Sequence, residues 1–512
     1  MRKPYLIGVD LGTTATKAAL YSSDGALMSE ARTEVPLYHP RPGCVEQEND
    51  DFYRSAAAVV RQCLGESGIA PAQVAAVAFD SQMAGIGSVD EDFKPATPFD
   101  SWLDMRCQPY IDQIDREHGN LITQLTGCPP TCDHGPKILW WKEERPESYR
   151  RIAKFVTPAG YVAGAAAGLT GDEAFIDYTF LHFSGLCDAR EGVWSQELCD
   201  LLGVDPNKLP RIVRPWDVIG EVTPAAARDF GLTIGTPIAA GAGDTAAGAL
   251  GAGIVQPGML LDTAGTASVL AGCTNRFVAD EKHRALLVMR SVVPGLWHPL
   301  AYVAGGGLSL RWFRDNFFNQ SGSHSQPPGV DLYDAMTETV ADVPPGADGL
   351  IFSPHLGGRS CPATPAMRGT WLGFSWGHTR AHFLRALLES IAYEYRHYLN
   401  ILQELVPDVE PIEVRVIGGG ALSAEWNQIK ADVLGVHYQR LARPELGTWG
   451  SALIAGYAVG LFDDLAERAA ATAERFGNRI TPHPHISERY HPLVERYLNW
   501  QELLKEGFER DV

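Results

Sequence analysis

Residues 239–253 read AAGAGDTAAGALGAG, with one carboxylate, Asp244, and Thr245 beside it in a run of glycines and alanines. Residues this small leave room for a ligand near the backbone, and glycine tolerates a positive φ. An acid so placed is suited to taking a proton from a poor nucleophile such as a hydroxyl. Three glycine-bearing turns follow apolar runs: DLGTT (10–14), DTAGT (262–266) and IGGGA (417–421). Successive backbone N–H groups in such turns form nests for anions, and threonine hydroxyls add donors. Asp10, at a strand end beside the first turn, is placed to hold Mg²⁺ through water, since magnesium takes one or two carboxylates with phosphate oxygens. Lys17, on the strand after that turn, adds a cation. Any single turn reads first as a plain hairpin. Three with matching chemistry point to a phosphate-bearing ligand.

The same stretch carries a false trail. Gly241, Gly243 and Ala246 match G-x-G-x-x-A, and Asp262 lies 19 residues beyond Gly243. That pattern suggests a dinucleotide loop and an NAD-dependent oxidoreductase. Asp244 would then sit inside the pyrophosphate loop and repel it, and Asp262 enters a second glycine–threonine turn instead of ending a ribose pocket.

The elements that must position these residues follow from apolar periodicity. Residues 1–35 read as a three-strand meander, in which Leu6, Ile7 and Val9 lead to Asp10, TKAALYSS follows, and Asp24-Gly25 makes a hairpin into ALMSEARTEV. ENDDFYRSAAAVVRQCLGESG predicts a helix with Asn49 or Asp50 as N-cap and Gly65 near its stop. VAAVAFD (74–80) is a buried strand. GTPIAAGAGD is a strand running into a glycine-rich turn, and GMLLDTAGTASVLAGC is two strands around a tight turn. LLDTAGTASVLAG (260–272) repeats the strand–turn–strand of GVDLGTTATKAAL (8–20), with one residue more between the acid and the glycine. The chain therefore reads as two related halves joined near 235–243. A long helical pattern covers 377–405, a strand, glycine turn and helix cover 412–435, and the tail is amphipathic and helical.

The length of 512 residues exceeds what one core supports, so two large domains are expected. A net charge of −19 argues against a nucleic-acid partner. The least charged stretch, 157–171, is too short and too weakly apolar for a bilayer, which needs about 20 apolar residues. The N-terminal run has no apolar leader pattern, so the expected location is cytoplasmic. Nine cysteines suggest no disulfide framework, and Cys128, Cys132 and His134 lack a fourth ligand for zinc.

Taken together, the motifs resemble those of the FGGY carbohydrate kinases, within the actin-like ATPase superfamily, nearly end to end. IGVDLGTTATKAALY resembles the family's first phosphate motif and LLDTAGTAS its second. VAGGGLSLRWFRD (303–315) resembles the segment beside the nucleotide, and VIGGGALSAEWNQIKADVLG the adenosine motif. HGPKILWWKEE (134–144) and GFSWGHTRAHFLRALLESIAYEYR (373–396) resemble the two family signatures. RPELGTWGSALIAGYAVG (443–460) resembles the helix after the adenosine motif. The resemblance implies an α/β protein of two ribonuclease-H-like domains with a catalytic cleft between them: 1–243 on the sugar side, 244–480 on the nucleotide side, and 481–512 as a helical tail.

The implied activity is ATP-dependent phosphorylation of a hydroxyl on a small sugar, ketose or polyol. The implied roles are Asp244 as general base, Asp10 for Mg²⁺, and Thr13, Thr14 and Lys17 around the phosphates. Gly265 and Thr266 fall on the γ-phosphate side, with Gly307, Gly419 and Gly420 against the nucleotide. FDSQMAGIG (79–87) corresponds to a segment that in xylulokinases reads G-Q-M-H-G; Gln82 and Met83 are kept, but Ala84 replaces the histidine. SWLDMR (101–106) places Trp102, Asp104 and Arg106 as pocket residues, the alternative being a packed Trp and a structural Asp–Arg pair. His134 and Trp140–Trp141 read as structural, and Trp312 and Trp371 as core aromatics. D-xylulose is the first expected substrate, with other pentuloses, tetritols, tetruloses and aldonates open because of Ala84. The resemblance also leaves open a homodimer, and an actin-like ATPase or regulator without sugar kinase activity.

Overall fold

The meander expected at the N-terminus forms one end of a six-stranded sheet. The computed structural model describes residues 4–318, 332–443, 445–473 and 475–510. Strands β1 (Tyr5–Leu11), β2 (Ala15–Ser22) and β3 (Leu27–Glu34) pair antiparallel. Strand β4 (Val74–Ser81) is buried along its whole length and lies parallel to β1. With β5 (Val218–Glu221) and β6 (Pro237–Gly243) the order is β5-β6-β4-β1-β2-β3.

The second half repeats this plan. Its strands are β7 (Met259–Ala264), β8 (Ser268–Gly272), β9 (Leu287–Arg290), β10 (Trp297–Val303), β11 (Glu413–Ile417) and β12 (Tyr438–Arg440), in the order β9-β10-β8-β7-β11-β12. In each sheet the central strand, β1 or β7, pairs antiparallel with its successor and parallel with a later strand, β4 or β11. The extra strand differs: β5 is added at the parallel edge of one sheet, β9 at the antiparallel edge of the other. These are two ribonuclease-H-like domains.

Helix α1 (Asn49–Ser67) covers the first sheet with Phe52, Ala56, Val59, Val60, Cys63 and Leu64, spaced to lie on one face. Its ends differ from expectation. Glu48 occupies the N-cap, while Asn49 is buried and donates from Nδ2 to the Thr97 carbonyl at 2.8 Å. Gly65 lies inside the helix, and Gly68, with φ 65°, ends it. Two glycines in LGESG offered a stop, and only the second takes the left-handed conformation a C-terminal cap uses.

Helix α2 (Asp244–Gly251) starts directly after β6 and packs against α5, introduced below. Helix α3 (Arg380–Leu405) is the long helix expected from 377, started by Thr379, whose capping box is closed by His382. Helix α4 (Ala424–Leu434) follows the third glycine turn, and α5 (Leu446–Ala458) lies on β1, β4 and β6 of the opposite half. The tail is helix α6 (Pro484–Arg510); Asp511, the last residue of its expected pattern, is outside the described residues. It buries Tyr490, Val494, Tyr497 and Gln501, and its tyrosine hydroxyls donate to Glu389 and Glu394 of α3 at 2.8 and 2.6 Å.

The acid of the second turn is structural. Asp262 is fully buried, 2.6 Å from Lys430 Nζ of α4, and accepts from the Tyr395 hydroxyl at 2.7 Å. Removing one partner of such a pair strands the other charge. Lys430→Met is therefore expected to lose about 3–5 kcal/mol, measured as a lower urea midpoint, with much of it recovered when Asp262→Asn is added.

Candidate active site

The ends of β1, β4 and β6 bring three carboxylates together: Asp10, Asp80 and Asp244. Asp10 stands opposite Lys17 in one register and opposite Asp80 in the other. Lys17 Nζ is 3.6 Å from Asp10 Oδ2 and 2.8 Å from Oε2 of Glu445, the N-cap of α5. Burial raises the Asp10 pKa and Lys17 opposes it. Asp80 is fully buried, its Oδ2 accepts from the Ser451 hydroxyl at 2.6 Å, and its Oδ1 has no hydrogen-bond partner. Burial first, then the charge on Asp10, holds its carboxyl well above the usual range. Asp80 was not expected as a site residue, although VAAVAFD ends an apolar strand on an acid just as LIGVD does.

Asp244 is the first residue of α2 and accepts from the N–H and hydroxyl of Thr245 at 2.5 and 3.1 Å. Burial and then the negative charge on Asp10 push its pKa up to about 7. Most of the small residues around it do not wait for a ligand. A Cβ on Gly251 would collide with the Leu446 carbonyl, and one on Gly450 with that of Ala247, so α2 and α5 meet backbone to backbone. Gly241, at φ 83°, lies against the Phe79 carbonyl, and Gly243 against the Met83 side chain. This corrects the reading of the run as space for a ligand, and it leaves no dinucleotide loop there. Gly248 alone in α2 faces open space.

The donor set of hard carboxylate oxygens fits a magnesium ion. A Cβ placed on Gly447 would lie 3.2 Å from Asp80 Oδ1 and 3.7 Å from Asp10 Cγ, so the glycine keeps the space beside both acids free. Among the described residues no three His, Cys, Asp or Glu side chains converge on one point. A cation there would draw further oxygens from water or phosphate.

The second and third turns assemble with the 306–308 segment. Gly307 N–H donates to the Gly265 carbonyl at 3.1 Å and Leu308 N–H to that of Thr266 at 3.0 Å. Gly418, at φ 84°, and Gly420 pack on Ala264, where a Cβ on either would lie 2.7 Å from it. Gly265, Thr266, Gly307, Gly419 and Gly420 thus share one surface, with Thr266 and Gly419 exposed and Leu308 and Leu422 on its rim. In the first turn Thr14 is exposed, whereas the Thr13 hydroxyl accepts from Trp102 Nε1 at 2.9 Å and reaches Gln82 Oε1 at 3.4 Å. Thr13 therefore sits between the first turn and the neighbouring cavity.

That cavity, of about 450 Å³, lies between the halves. Gln82, Met83, Ala84, Trp102, Asp244 and Thr245 line one side, and Val269, Leu287, Leu300 and Tyr302 the other. Asp104 and Arg106 do not line it, which corrects their assignment to the pocket. Arg106 is locked to Asp104 and Glu46 at 2.6 Å each and to Asp100 at 3.6 Å, with its guanidinium over Trp140. Asp104 also accepts from the Val45 N–H at 2.6 Å. Arg106 is committed to these acids and to the Trp140 ring, away from the cavity, so the pair reads as structural. His134 is buried with its pKa pushed down to about 3 by desolvation, and Trp141 donates to Asp100, so both are structural. Trp312 and Trp371 stack on each other in an aromatic cluster with Phe352 and Phe317.

Two cavity residues had no signal in the sequence. Asp115 and Arg284 form an ion pair across the halves, between positions 169 residues apart, and Arg284 holds a left-handed φ of 53°.

Known proteins show the same organisation. Residues 5–251 match the N-terminal domain of the FGGY family of carbohydrate kinases and residues 261–459 its C-terminal domain. A gluconokinase and a xylulose kinase of Bacillus subtilis are each 27% identical to the chain, over 98% of it and 97% of the former, and 97% of it and 96% of the latter. The crystal structure of a xylulose kinase from Rhodospirillum rubrum superposes with a TM-score of 0.88 at 27% identity, covering 99% of this chain and all of that one. No described helix is long and apolar enough to cross a membrane. With both domain matches in sequence and both sheets in order, the chain belongs to the FGGY family of carbohydrate kinases.

Proposed function

We propose that this chain transfers the γ-phosphoryl group of ATP to a hydroxyl of a small sugar, ketose or polyol bound in the cavity beside Asp244. The observation that carries the reading is the position of Asp244, which lines the cavity between the halves close to Asp10 and the first phosphate turn. Asp244 takes the hydroxyl proton, the freed oxygen attacks the γ-phosphorus, and the bond to ADP breaks. Gly265, Thr266, Gly307, Gly419 and Gly420 hold the nucleotide by backbone, and Thr14 meets its phosphates. Asp10, steadied by Lys17, would hold Mg²⁺, which neutralises phosphate charge when bound. Residues 1–243 and 244–480 act as the two sides of the cleft, and closing it excludes water.

Gln82, Met83 and Trp102 are the acceptor-binding side chains, with Thr13 orienting Gln82 and Trp102. D-xylulose is the acceptor to test first, because of Gln82 and Met83. Ala84 presents a methyl group where a xylulokinase histidine would offer a hydrogen bond, and a relative named gluconokinase is as similar as one named xylulose kinase. Pentuloses, polyols and aldonates therefore belong in one screen, read by ADP release.

With a substrate from that screen, Asp244→Asn should lower kcat by about 10²-fold or more; an unchanged rate would remove Asp244 as the base. The base works ionised, so kcat/KM should level off above its pKa of about 7 and fall about tenfold per pH unit below it. The residual rate of the variant should lack that limb. The same shift has a stability signature. Asp244 is raised from 3.8 to about 7 in the folded protein, so stability falls as pH rises through that window. Asp244→Asn should therefore melt above the wild type by more at about pH 8 than at about pH 5, which calorimetry would show.

A further inference from the structure

We propose that Asp80 is a second carboxylate of the cation site opened by Asp10, and that the two bind a divalent cation before any nucleotide arrives. The inference rests on the reading of Asp10 as a cation-holding residue.

The two halves supply the comparison. Asp10 on β1 and Asp262 on β7 occupy the same place in the repeated strand–turn–strand, each beside a parallel strand. The residue paired with Asp262 on that strand is Val416, whereas the residue paired with Asp10 is Asp80. Asp262 is matched by a fully buried lysine, Lys430, at 2.6 Å. The first half has two acids at this place and, among the described residues, no buried lysine beside them; Lys137, fully buried, is held instead by the Cys132 and Asp104 carbonyls. Its nearest cation, Lys17, is divided between Asp10 and Glu445, and Ser451 gives Asp80 only a neutral hydroxyl. An acid kept for packing would be expected to resemble Asp262.

Asp80 instead keeps a free oxygen. Oδ1 is buried and accepts from no donor; the side chain faces the Asp10 carboxyl and Gly447 of α5, where a Cβ would stand 3.2 Å from Oδ1 and 3.6 Å from Oδ2. A buried carboxylate oxygen left unbonded is costly, and such sites persist where a ligand completes them. Two carboxylates with an open side match a hard divalent cation that takes its remaining oxygens from water or phosphate. With both acids contributed by the protein, binding does not have to wait for ATP.

The test titrates Mn²⁺ into the nucleotide-free full chain and follows the electron paramagnetic resonance signal of the free ion. The wild type should bind about one ion per chain, and Asp80→Asn should weaken this about tenfold or more. Asp80→Asn can keep the Ser451 hydrogen bond, and it should melt above the wild type when no metal is present. Gly447→Ala is the second variant: it retains both acids, fills the space between them, and improves helix propensity. It should weaken Mn²⁺ binding without lowering the melting temperature. Wild-type protein that binds no Mn²⁺ without nucleotide would overturn the inference, as would Asp80→Asn or Gly447→Ala binding as tightly as the wild type. Asp80→Asn melting lower with binding intact would make Asp80 structural. Asp10→Asn separates the two readings: if it alone abolishes binding, Asp10 stands and Asp80 falls; if it binds normally, the role given to Asp10 fails.

Discussion

The close approach of α5 to the opposite half is the contact on which the site depends. A side chain on Gly8 of β1 would collide with the Thr448 carbonyl, and one on Gly450 with that of Ala247. Helix, strand and neighbouring helix can meet at this distance only because glycine removes the Cβ from one side of each contact. The approach sets the positions of three residues at the start of the helix. Glu445 reaches Lys17, Ser451 reaches Asp80, and Gly447 faces both Asp10 and Asp80. A segment from the far end of the chain thus completes a cluster whose acids come from the first 244 residues. Sequence separation of this kind gives no local signal.

The two glycine–threonine turns share one topology and serve differently. Both follow a central strand with an acid near its end, and both precede an antiparallel partner. In the second half Lys430 and Tyr395 use up the acid, and the turn is buttressed by the 306–308 and 418–420 backbones. The result is a surface of glycine-rich backbone whose own acid, Asp262, is neutralised beneath it. In the first half the acid stays at the cleft, where a lysine tempers it without covering it. One repeated geometry thereby presents backbone on one side and carboxylates on the other.

Much of this was legible in the sequence. Apolar runs broken by Gly-Thr turns gave the two sheets, because buried parallel strands read as continuous hydrophobic stretches. Asp10 and Asp244 stood out as acids at the ends of such runs. What was not legible depended on partners distant in the chain. Asp104 and Arg106 looked like ligand residues until Glu46, Asp100 and Trp140 were seen to surround them. The glycines around Asp244 read as space for a ligand, but Phe79, Met83 and α5 fill it. Gly65 and Gly68 were equivalent as letters, and only the φ angle separates them. Asp80 has the same local signal as Asp10, and within its own segment it reads as no more than the end of a buried strand.

Buried acids of the second half are treated differently from the acids at the cleft. Burial pushes Glu394 up, but Arg359 at 3.1 Å and His355 at 3.2 Å outweigh it and leave the acid well below the usual range. Glu389 is held by Arg385 at 2.7 Å and by two tyrosine hydroxyls, and Asp262 by Lys430. Each of these ties a helix to the second half, and each is neutralised within the protein. Asp10, Asp80 and Asp244 share one lysine among them, and all three are shifted upward. Where the second half pairs Glu394, Glu389 and Asp262 with cations of its own, the cleft leaves these three short of positive charge. The deficit lies where a cation, a phosphate-bearing ligand and a proton would all have to meet, and it is the electrostatic form that a site takes when its missing charge is to be brought by what it binds.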